Sequence, residues 1–426
     1  MLSISTLRWF TRWSRGDKSV QEDIIRFART KLLNSTDWAD AKTNPKLLRD
    51  QLLATLFVRI PFDISTATFR GHACALSQVE GNLRVVDRID YRKDVIFSHY
   101  PMESVVAEAS CLAMSSNSFS MLSAFEHALD GSFAIDDGEV GEYIGVALLL
   151  MARDAALGVP ADRLCSIPAF LTKLLKRLPV IIAKNVYPFR VGRRSAPSGL
   201  LESTLDTLLA KSAMFLTQFI KLQGPTKWNS DKCLAFLSQG AGILCPKGTP
   251  GIAAITPFVV DHDKPLAANN LGLILWQYKN DYAYQEDVQS TLFDRMDTFL
   301  NNFEGDLQAV IRVVVCLAST SPAVKCVRPE KCAKGPLWVV DLWVAGLDSF
   351  EVLEEATLPN WKDLLTKESK WKRRYEIDDL SAEGDLKARQ QANPGLVDET
   401  IHFEQWWTLA KEAMDSKQKS KRKKRA

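Results

Sequence analysis

Histidine is scarce in this chain, and its cysteines do not occur at closely paired spacings. Five histidines are spread over 426 residues, so no Ser–His catalytic arrangement can be proposed. The eight cysteines include no Cys-x-x-Cys pair and no segment resembles a secretory signal, which argues against an extracellular disulfide framework. The longest apolar runs, such as 310–318, have about half of the roughly 20 residues that a membrane-crossing helix needs. We therefore expect a soluble protein of a reducing, intracellular compartment that does not engage a membrane.

Three short patterns that could suggest a metal or phosphate site have the wrong spacing. Residues 242–249 contain Lys and Gly in the reverse of the Walker order and lead into a predicted strand instead of a helix. Cys326 and Cys332 have no histidine nearby and lack zinc-finger spacing. His262 lies between two aspartates, a pattern more typical of a polar turn than of a metal site.

Positive charge is concentrated at the C-terminus. The formal net charge is +3, yet residues 417–426 carry seven Lys or Arg and no acid, so the rest of the chain is mildly acidic. Such a tail is typical of a disordered segment that binds a nuclear import receptor or phosphate groups, and a merely solubilising tail is the alternative. The residues predicted to act in nuclear targeting are Lys421, Arg422, Lys423, Lys424 and Arg425.

The first 16 residues suggest a different cellular location. Arg8, Arg12 and Arg15 recur at helical spacing, and no acid precedes Asp17, which is typical of a mitochondrial presequence. The aromatic residues of the same segment could equally belong to a helix that packs on the body of the protein. With the basic tail at the other end, we expect a nuclear protein and keep the mitochondrial matrix as the alternative.

The apolar pattern divides the chain into four regions. A helical N-terminal region (1–60) precedes a mixed α/β core (61–346), a charged, partly helical extension (347–416) and a disordered basic tail (417–426). Within the core, short alternating runs predict a small set of strands over 64–97, and helical spacing returns from Ser104 to about Leu129. Other predicted strands follow: 241–245, 252–259, 271–279, 307–318 and 337–346.

The segment 136–157 predicts a helix at the heart of a domain. It opens with acids, which favour a helix N-terminus, and then runs apolar almost all round. A second helical pattern at 285–304 separates two predicted strands. The order of helices and strands predicts a mixed α/β fold.

The strand 271–279 ends on polar residues that need an explanation. Because residues two apart in a strand share a face, Leu275, Gln277 and Lys279 point one way while Trp276 and Tyr278 point the other. Polar side chains that continue an apolar face require partners. One interpretation is that Gln277 is simply hydrogen-bonded and that the Lys279 side chain extends to the protein surface.

The order of these patterns resembles the PD-(D/E)XK nuclease superfamily, and within it divergent, mobile-element-associated proteins of fungal genomes. Three short stretches over about 103–285 carry the resemblance: Gly141-Glu142 in the buried helix, a strand that begins Gly251-Ile252, and Gln277-x-Lys279. It implies a restriction-endonuclease-like core, a central mixed sheet flanked by helices. It further implies Glu142 and Gln277 as Mg²⁺ ligands, Lys279 as the residue that orients water or stabilises charge, and DNA rather than RNA as substrate.

One residue departs from the family pattern. Where the family has an aspartate after Gly-Ile, this chain has Ala253, and a hairpin would place Ala254 roughly opposite Gln277. Asp261 and Asp263 would lie at the far end of that hairpin, on the order of 20 Å away. We therefore expect a nucleic-acid-associated protein with an impaired nuclease site, or Mg²⁺-dependent DNA hydrolysis if activity survives. The alternative is a non-catalytic nuclear scaffold built on the same fold.

Two basic segments outside this pattern are candidates for nucleic-acid contact. One combines cations with an aromatic residue that could stack on a base, and the other is a Pro-containing basic loop. A solvated helix with one packed tryptophan is the alternative for the first segment. The candidate contact residues are Lys370, Trp371, Arg373 and Arg374 in the first segment and Arg190, Arg193 and Arg194 in the second.

Overall fold

Nine strands in the described part of the chain form one curled, mixed sheet, and helices flank both of its faces. This confirms the mixed α/β class predicted from the sequence. The computed structural model describes residues 18–65, 69–90, 95–100, 103–130, 133, 135, 137–157, 164–176, 209–222, 227–246, 249–305, 307–327 and 338–366.

The elements alternate between helices and strands along the chain. The helices are α1 Lys18–Leu32, α2 Pro45–Arg59, α3 Phe69–Gly81, α4 Glu103–Met114, α5 Met121–Ala128, α6 Asp137–Leu157, α7 Ile167–Leu174, α8 Ser230–Ser238, α9 Ser290–Asn301 and α10 Leu358–Thr366. The strands are β1 Ile64–Ser65, β2 Val85–Asp90, β3 Val95–His99, β4 Cys165–Ser166, β5 Ala213–Met214, β6 Gln218–Lys221, β7 Ala241–Leu244, β8 Ala254–Val259, β9 Leu271–Lys279, β10 Ala309–Cys316, β11 Ala323–Val327 and β12 Trp338–Ala345. The helix predicted at 136–157 and the later strand predictions are confirmed within a few residues.

The large sheet is antiparallel on one side of β9 and parallel on the other. Its main path runs β11-β12-β10-β9-β8-β5-β4, with β7 beside β8 and β6 beside β7. The hairpin of β8 and β9 is antiparallel, whereas β10 lies parallel to β9 and to β12. A parallel neighbour needs a crossover connection, and α9 supplies it between β9 and β10. The carboxyl end of β9 therefore lies close to residues from both the hairpin and the crossover helix.

Strand β9 separates two apolar cores. Ile274, Trp276 and Tyr278 belong to the first core, together with much of α6. Leu273 and Leu275 belong to the second core, which α8 and α9 cover. The period-2 division of this strand predicted from the sequence is confirmed, and the polar residues Gln277 and Lys279 follow on from its second-core face.

The prediction of strands throughout 64–97 is wrong over its first half, where the chain forms α3. Cys74 and Gln78, four residues apart, share the buried face of this helix. The Gln78 amide is fully buried and donates a 3.1 Å hydrogen bond to the Asp50 carbonyl oxygen. A polar residue on the inner face hides the helical period, so the segment resembles a series of short alternating runs. The described strands of this segment are β1, β2 and β3, and β3 pairs with both of the others.

A part-buried cation, Lys221, ties α6 to the sheet. The Lys221 ammonium at the end of β6 donates to Asp63 Oδ2 at 2.9 Å, to the Tyr143 hydroxyl at 3.0 Å and to Glu139 Oε1 at 3.3 Å. Burial alone would lower the pKa of Lys221, but Tyr143 and the two carboxylates raise it above the ordinary lysine value. Lys221 therefore stays charged and helps to hold α6 in place.

Helices that precede and follow the large sheet along the chain also contribute to the first core. Leu53 and Leu56 of α2 and Trp361 of α10 pack there with the residues of α6. All described residues fall within one compact unit, Met1–Trp371. Among these residues, no helix is both long and apolar enough to cross a bilayer.

Candidate functional site

A cavity of about 250 Å³ lies at the carboxyl end of β9. Glu142 from α6 lines it together with Gln277 and Lys279 from β9, so the three residues singled out from the sequence share one site. The rest of its wall comes from residues that follow β7, residues just before β8 and the exposed face of α9. The other lining residues are Cys245, Pro246, Thr249, Gly251, Ile252, Ala253 and Arg295.

Two glycines let α6 approach the end of β9. A Cβ atom on Gly145 would lie 2.1 Å from the Tyr278 ring, and one on Gly141 would lie 2.8 Å from the Asn280 Cβ. Contacts this short do not occur in folded proteins, so only glycine permits this crossing at both positions. The close approach brings Glu142, which directly follows Gly141, to the edge of the cavity.

Backbone hydrogen bonds place Ala253 in the cavity wall. Its N–H donates to the Trp276 carbonyl oxygen at 2.8 Å, and its own carbonyl oxygen accepts from the Cys245 N–H at 2.8 Å. Ala254 pairs with Trp276 in the ladder, so Ala253 is the residue opposite Gln277. The expectation that Ala254 would occupy this place is therefore wrong by one residue. Ala253 lines the cavity, and its side chain there is a methyl group.

Gly251 allows the backbone of the loop before β8 to pack closely against α9. Its φ of +68° lies in the left-handed region, which favours glycine. A Cβ atom there would also lie 2.7 Å from the carbonyl carbon of Arg295 and 2.8 Å from the Arg295 Cβ. The loop backbone thus rests directly on α9 at Arg295, which brings this arginine into the cavity wall beside Ala253.

The Lys279 ammonium is half-buried in the wall of the cavity. Burial is the main cause that lowers its pKa, and the positive charge of Arg295 lowers it further. Its Nζ lies 5.3 Å from the centre of the Tyr284 ring, a cation–π distance that orients the side chain. The site therefore holds two cations that repel each other.

Glu142 influences the neutral groups around it. Burial raises the pKa of the Cys245 thiol, and the Glu142 carboxylate raises it further. The same two causes raise the pKa of Tyr278 well above the ordinary tyrosine value. Cys245 and Tyr278 therefore remain protonated at neutral pH, and neither supplies a thiolate or phenolate ligand.

Neither aspartate of the hairpin tip can complete the site. The ladder runs from Ala254 opposite Trp276 to Val259 opposite Leu271, and Asp261 and Asp263 lie beyond that far end. The Asp263 carboxylate forms a 2.8 Å ion pair with Lys211 instead.

Asp281, close to Lys279 in sequence, is exposed and accepts the Ala283 N–H at 2.8 Å. Among the described residues, Glu142 is the one carboxylate that lines the cavity. The described residues also contain no group of three or more His, Cys, Asp or Glu side chains that could hold a metal ion.

Several sequence-predicted residues lie outside the described residues. They are Arg190, Arg193, Arg194, Lys370, Trp371, Arg373 and Arg374, predicted to contact nucleic acid, and Lys421, Arg422, Lys423, Lys424 and Arg425, predicted to direct the protein to the nucleus. Their roles remain predictions.

Comparisons with known proteins do not place the chain in a family. No protein-family model, curated protein or solved structure matches it. The geometry of the cavity is therefore the basis for any functional proposal.

Sequence reasoning missed Arg295 as a member of this site. Arg295 is an exposed residue of an amphipathic helix whose buried face carries Leu292, Phe293 and Met296. Nothing in that pattern distinguishes it from an ordinary solvated arginine. Only the contact between Gly251 and α9 shows that it lines the cavity.

Proposed function

We propose that this protein binds nucleic acid with a fold derived from PD-(D/E)XK nucleases, and that its former metal site is catalytically impaired. The grouping of Glu142, Gln277 and Lys279 in one cavity carries the proposal. The residue order helix-Glu, strand, strand-Gln-x-Lys is that of the family, and the antiparallel β8–β9 hairpin brings the residues before β8 beside Gln277.

The donor set explains why catalysis is expected to be weak. Mg²⁺ requires near-octahedral oxygen coordination and is usually held through carboxylates together with substrate phosphates. The described residues of the cavity offer one carboxylate, from Glu142, and the neutral amide oxygen of Gln277. Such a set does not fit a firmly held Mg²⁺ ion, so we assign this protein no metal-dependent step.

The charge of the cavity supports phosphate binding instead. Lys279 and Arg295 contribute two positive charges against the single negative charge of Glu142. A concave site with excess positive charge attracts the backbone phosphates of DNA or RNA.

Replacing Lys279 with alanine should weaken binding of duplex DNA about tenfold, because a charge-assisted contact to phosphate is worth about 1.5–3 kcal/mol and 1.4 kcal/mol is a factor of ten. The slope of log affinity against log salt should fall by about 1. Fluorescence anisotropy with a labelled duplex at several salt concentrations measures both quantities.

The matched control is Lys264→Ala, which removes an exposed lysine at the opposite end of the same hairpin. It should leave DNA affinity within about twofold of the original. If the wild-type protein shows no salt-dependent binding of DNA or RNA, or if both variants lose affinity equally, the proposal is wrong.

A further inference from the structure

Lys279 and Arg295 line one cavity, in contrast to Lys221 and Arg312, which are held in ion pairs elsewhere in the fold. Lys221 contacts Asp63 and Glu139, and Arg312 contacts Asp341. Neither Lys279 nor Arg295 forms an ion pair with any described residue, although both line the same cavity. An anion that binds between them would relieve their repulsion, and the cavity lining has one more cation than carboxylate.

The position of Arg295 is set by the fold and not by a flexible loop. It lies on α9, whose opposite face is buried in the second core. The backbone at Gly251 rests against it, with the distance from a Cβ there to the Arg295 carbonyl carbon only 2.7 Å. This contact fixes the backbone and Cβ of Arg295 at the edge of the cavity, from which the guanidinium can reach a ligand.

The two cations have complementary geometry for phosphate. A guanidinium presents two parallel N–H groups to two phosphate oxygens, whereas an ammonium acts as a compact point charge. The volume of about 250 Å³ is several times the roughly 30 Å³ that a water molecule occupies and less than a typical drug-sized pocket, so it suits a phosphate with part of the attached sugar.

We propose that Lys279 and Arg295 together bind a phosphate group of the nucleic acid directly, without a divalent metal, and that Arg295 supplies the bidentate contact. The inference rests on the proposed nucleic-acid function and adds its ligand, its second cation and its independence of metal. In this arrangement, positive charge takes the place that the missing aspartate and its metal would have had. The Glu142 carboxylate in the same cavity disfavours a second phosphate.

The test compares Arg295→Gln and Arg295→Lys with the wild-type protein in DNA binding with EDTA present. Wild-type affinity should change by less than about twofold when EDTA replaces Mg²⁺. Arg295→Gln should weaken binding about tenfold, and Arg295→Lys, which keeps the charge but loses the fork, should fall in between. Arg26→Gln, an exposed arginine of α1, is the control and should stay within about twofold.

The outcomes separate this inference from the proposed function. If Lys279→Ala weakens binding but Arg295→Gln does not, or if EDTA abolishes wild-type binding, the direct phosphate site is wrong while nucleic-acid binding stands. If the wild-type protein binds no nucleic acid, both proposals fail.

Three DNA substrates identify the source of the phosphate. A covalently closed circle, a linear duplex with 5′-phosphates and the same duplex without them are compared. An Arg295 effect on all three identifies a backbone phosphodiester, and an effect restricted to the phosphorylated ends identifies a terminal phosphate. An Arg295 effect that is the same size as the Arg26 effect on every substrate overturns the inference.

Discussion

Replacing Arg312 with methionine should lower the free energy of unfolding by about 3–5 kcal/mol, because it leaves a buried carboxylate without its partner. Arg312 and Asp341 are only 2% and 1% exposed and face each other across β10 and β12. Nε and Nη2 of Arg312 donate to the two Asp341 oxygens at 2.6 and 2.7 Å. Urea denaturation at pH 7 measures the loss.

The loss of stability on Arg312→Met should depend on pH. Burial raises the pKa of Asp341 to about 6 even with Arg312 present. Without the arginine the pKa must rise further, so the carboxyl group becomes neutral as the pH falls. The destabilisation by Arg312→Met should therefore be smaller at pH 5 than at pH 8. In the wild-type protein, the stability that protonated Asp341 contributes is present below about pH 4 and is lost as the pH rises through 6.

The double variant Arg312→Met with Asp341→Leu is the control. It removes both charges and replaces them with apolar groups, so it should recover most of the stability that the single variant loses. Asp297, which also contacts Arg312, is partly exposed and can be hydrated. If the single variant costs no more than Arg26→Met on the surface, or if the double variant is no more stable than the single one, the ion pair does not have the role described here.

Replacing Ala253 with aspartate should raise the affinity of the cavity for Mn²⁺ at least about tenfold, since a second carboxylate adds a charged oxygen ligand. Ala253 lies opposite Gln277 and is 5% exposed. Its new carboxylate would enter a wall that already holds Glu142. Calorimetric titration with Mn²⁺ measures the affinity directly.

Ala253→Asp should also change the thermal stability of the protein, in a way that depends on metal. A buried, unpaired carboxylate is costly, so Ala253→Asp should unfold at a lower temperature than the wild-type protein without metal. Mn²⁺ should raise its unfolding temperature, since the ion binds the folded state. Ala253→Asn is the isosteric control and should gain neither metal affinity nor metal-dependent stability. Equal gains in the two variants would show that the charge at this position is irrelevant.

Period-2 spacing was sufficient to predict the two faces of β9, and continuous apolar character was sufficient to predict α6. Both signals arise from burial on both sides of an element, which leaves a direct trace in the residue types. The helix α3 left no such trace because Gln78 occupies its buried face. Similarly, Leu347 and Trp361 are buried although the composition beyond Leu347 is rich in charge.

The grouping of Glu142, Gln277 and Lys279 in one cavity follows the residue order of the suspected family, although their chemical roles remain predictions. The one-residue register that places Ala253, and not Ala254, opposite Gln277 could not be read from the sequence. It depends on how the residues after Gly251 enter β8. Arg295 was out of reach for a similar reason, because its place in the site depends on a backbone contact between a loop and a distant helix.

We propose that a former nuclease site lost its chemistry at Ala253, and cleavage of plasmid DNA with Mg²⁺ or Mn²⁺ decides whether it did. Ala253→Asp should cleave supercoiled DNA at least about 100-fold faster than the wild-type protein, since a bound metal supplies several kcal/mol and each 1.36 kcal/mol is a factor of ten. EDTA, Ala253→Asn and the double variant Ala253→Asp with Lys279→Ala should all return cleavage to the wild-type rate. The site at Ala253 is not a former nuclease site if Ala253→Asp binds Mn²⁺ and remains folded yet cleaves no faster than Ala253→Asn.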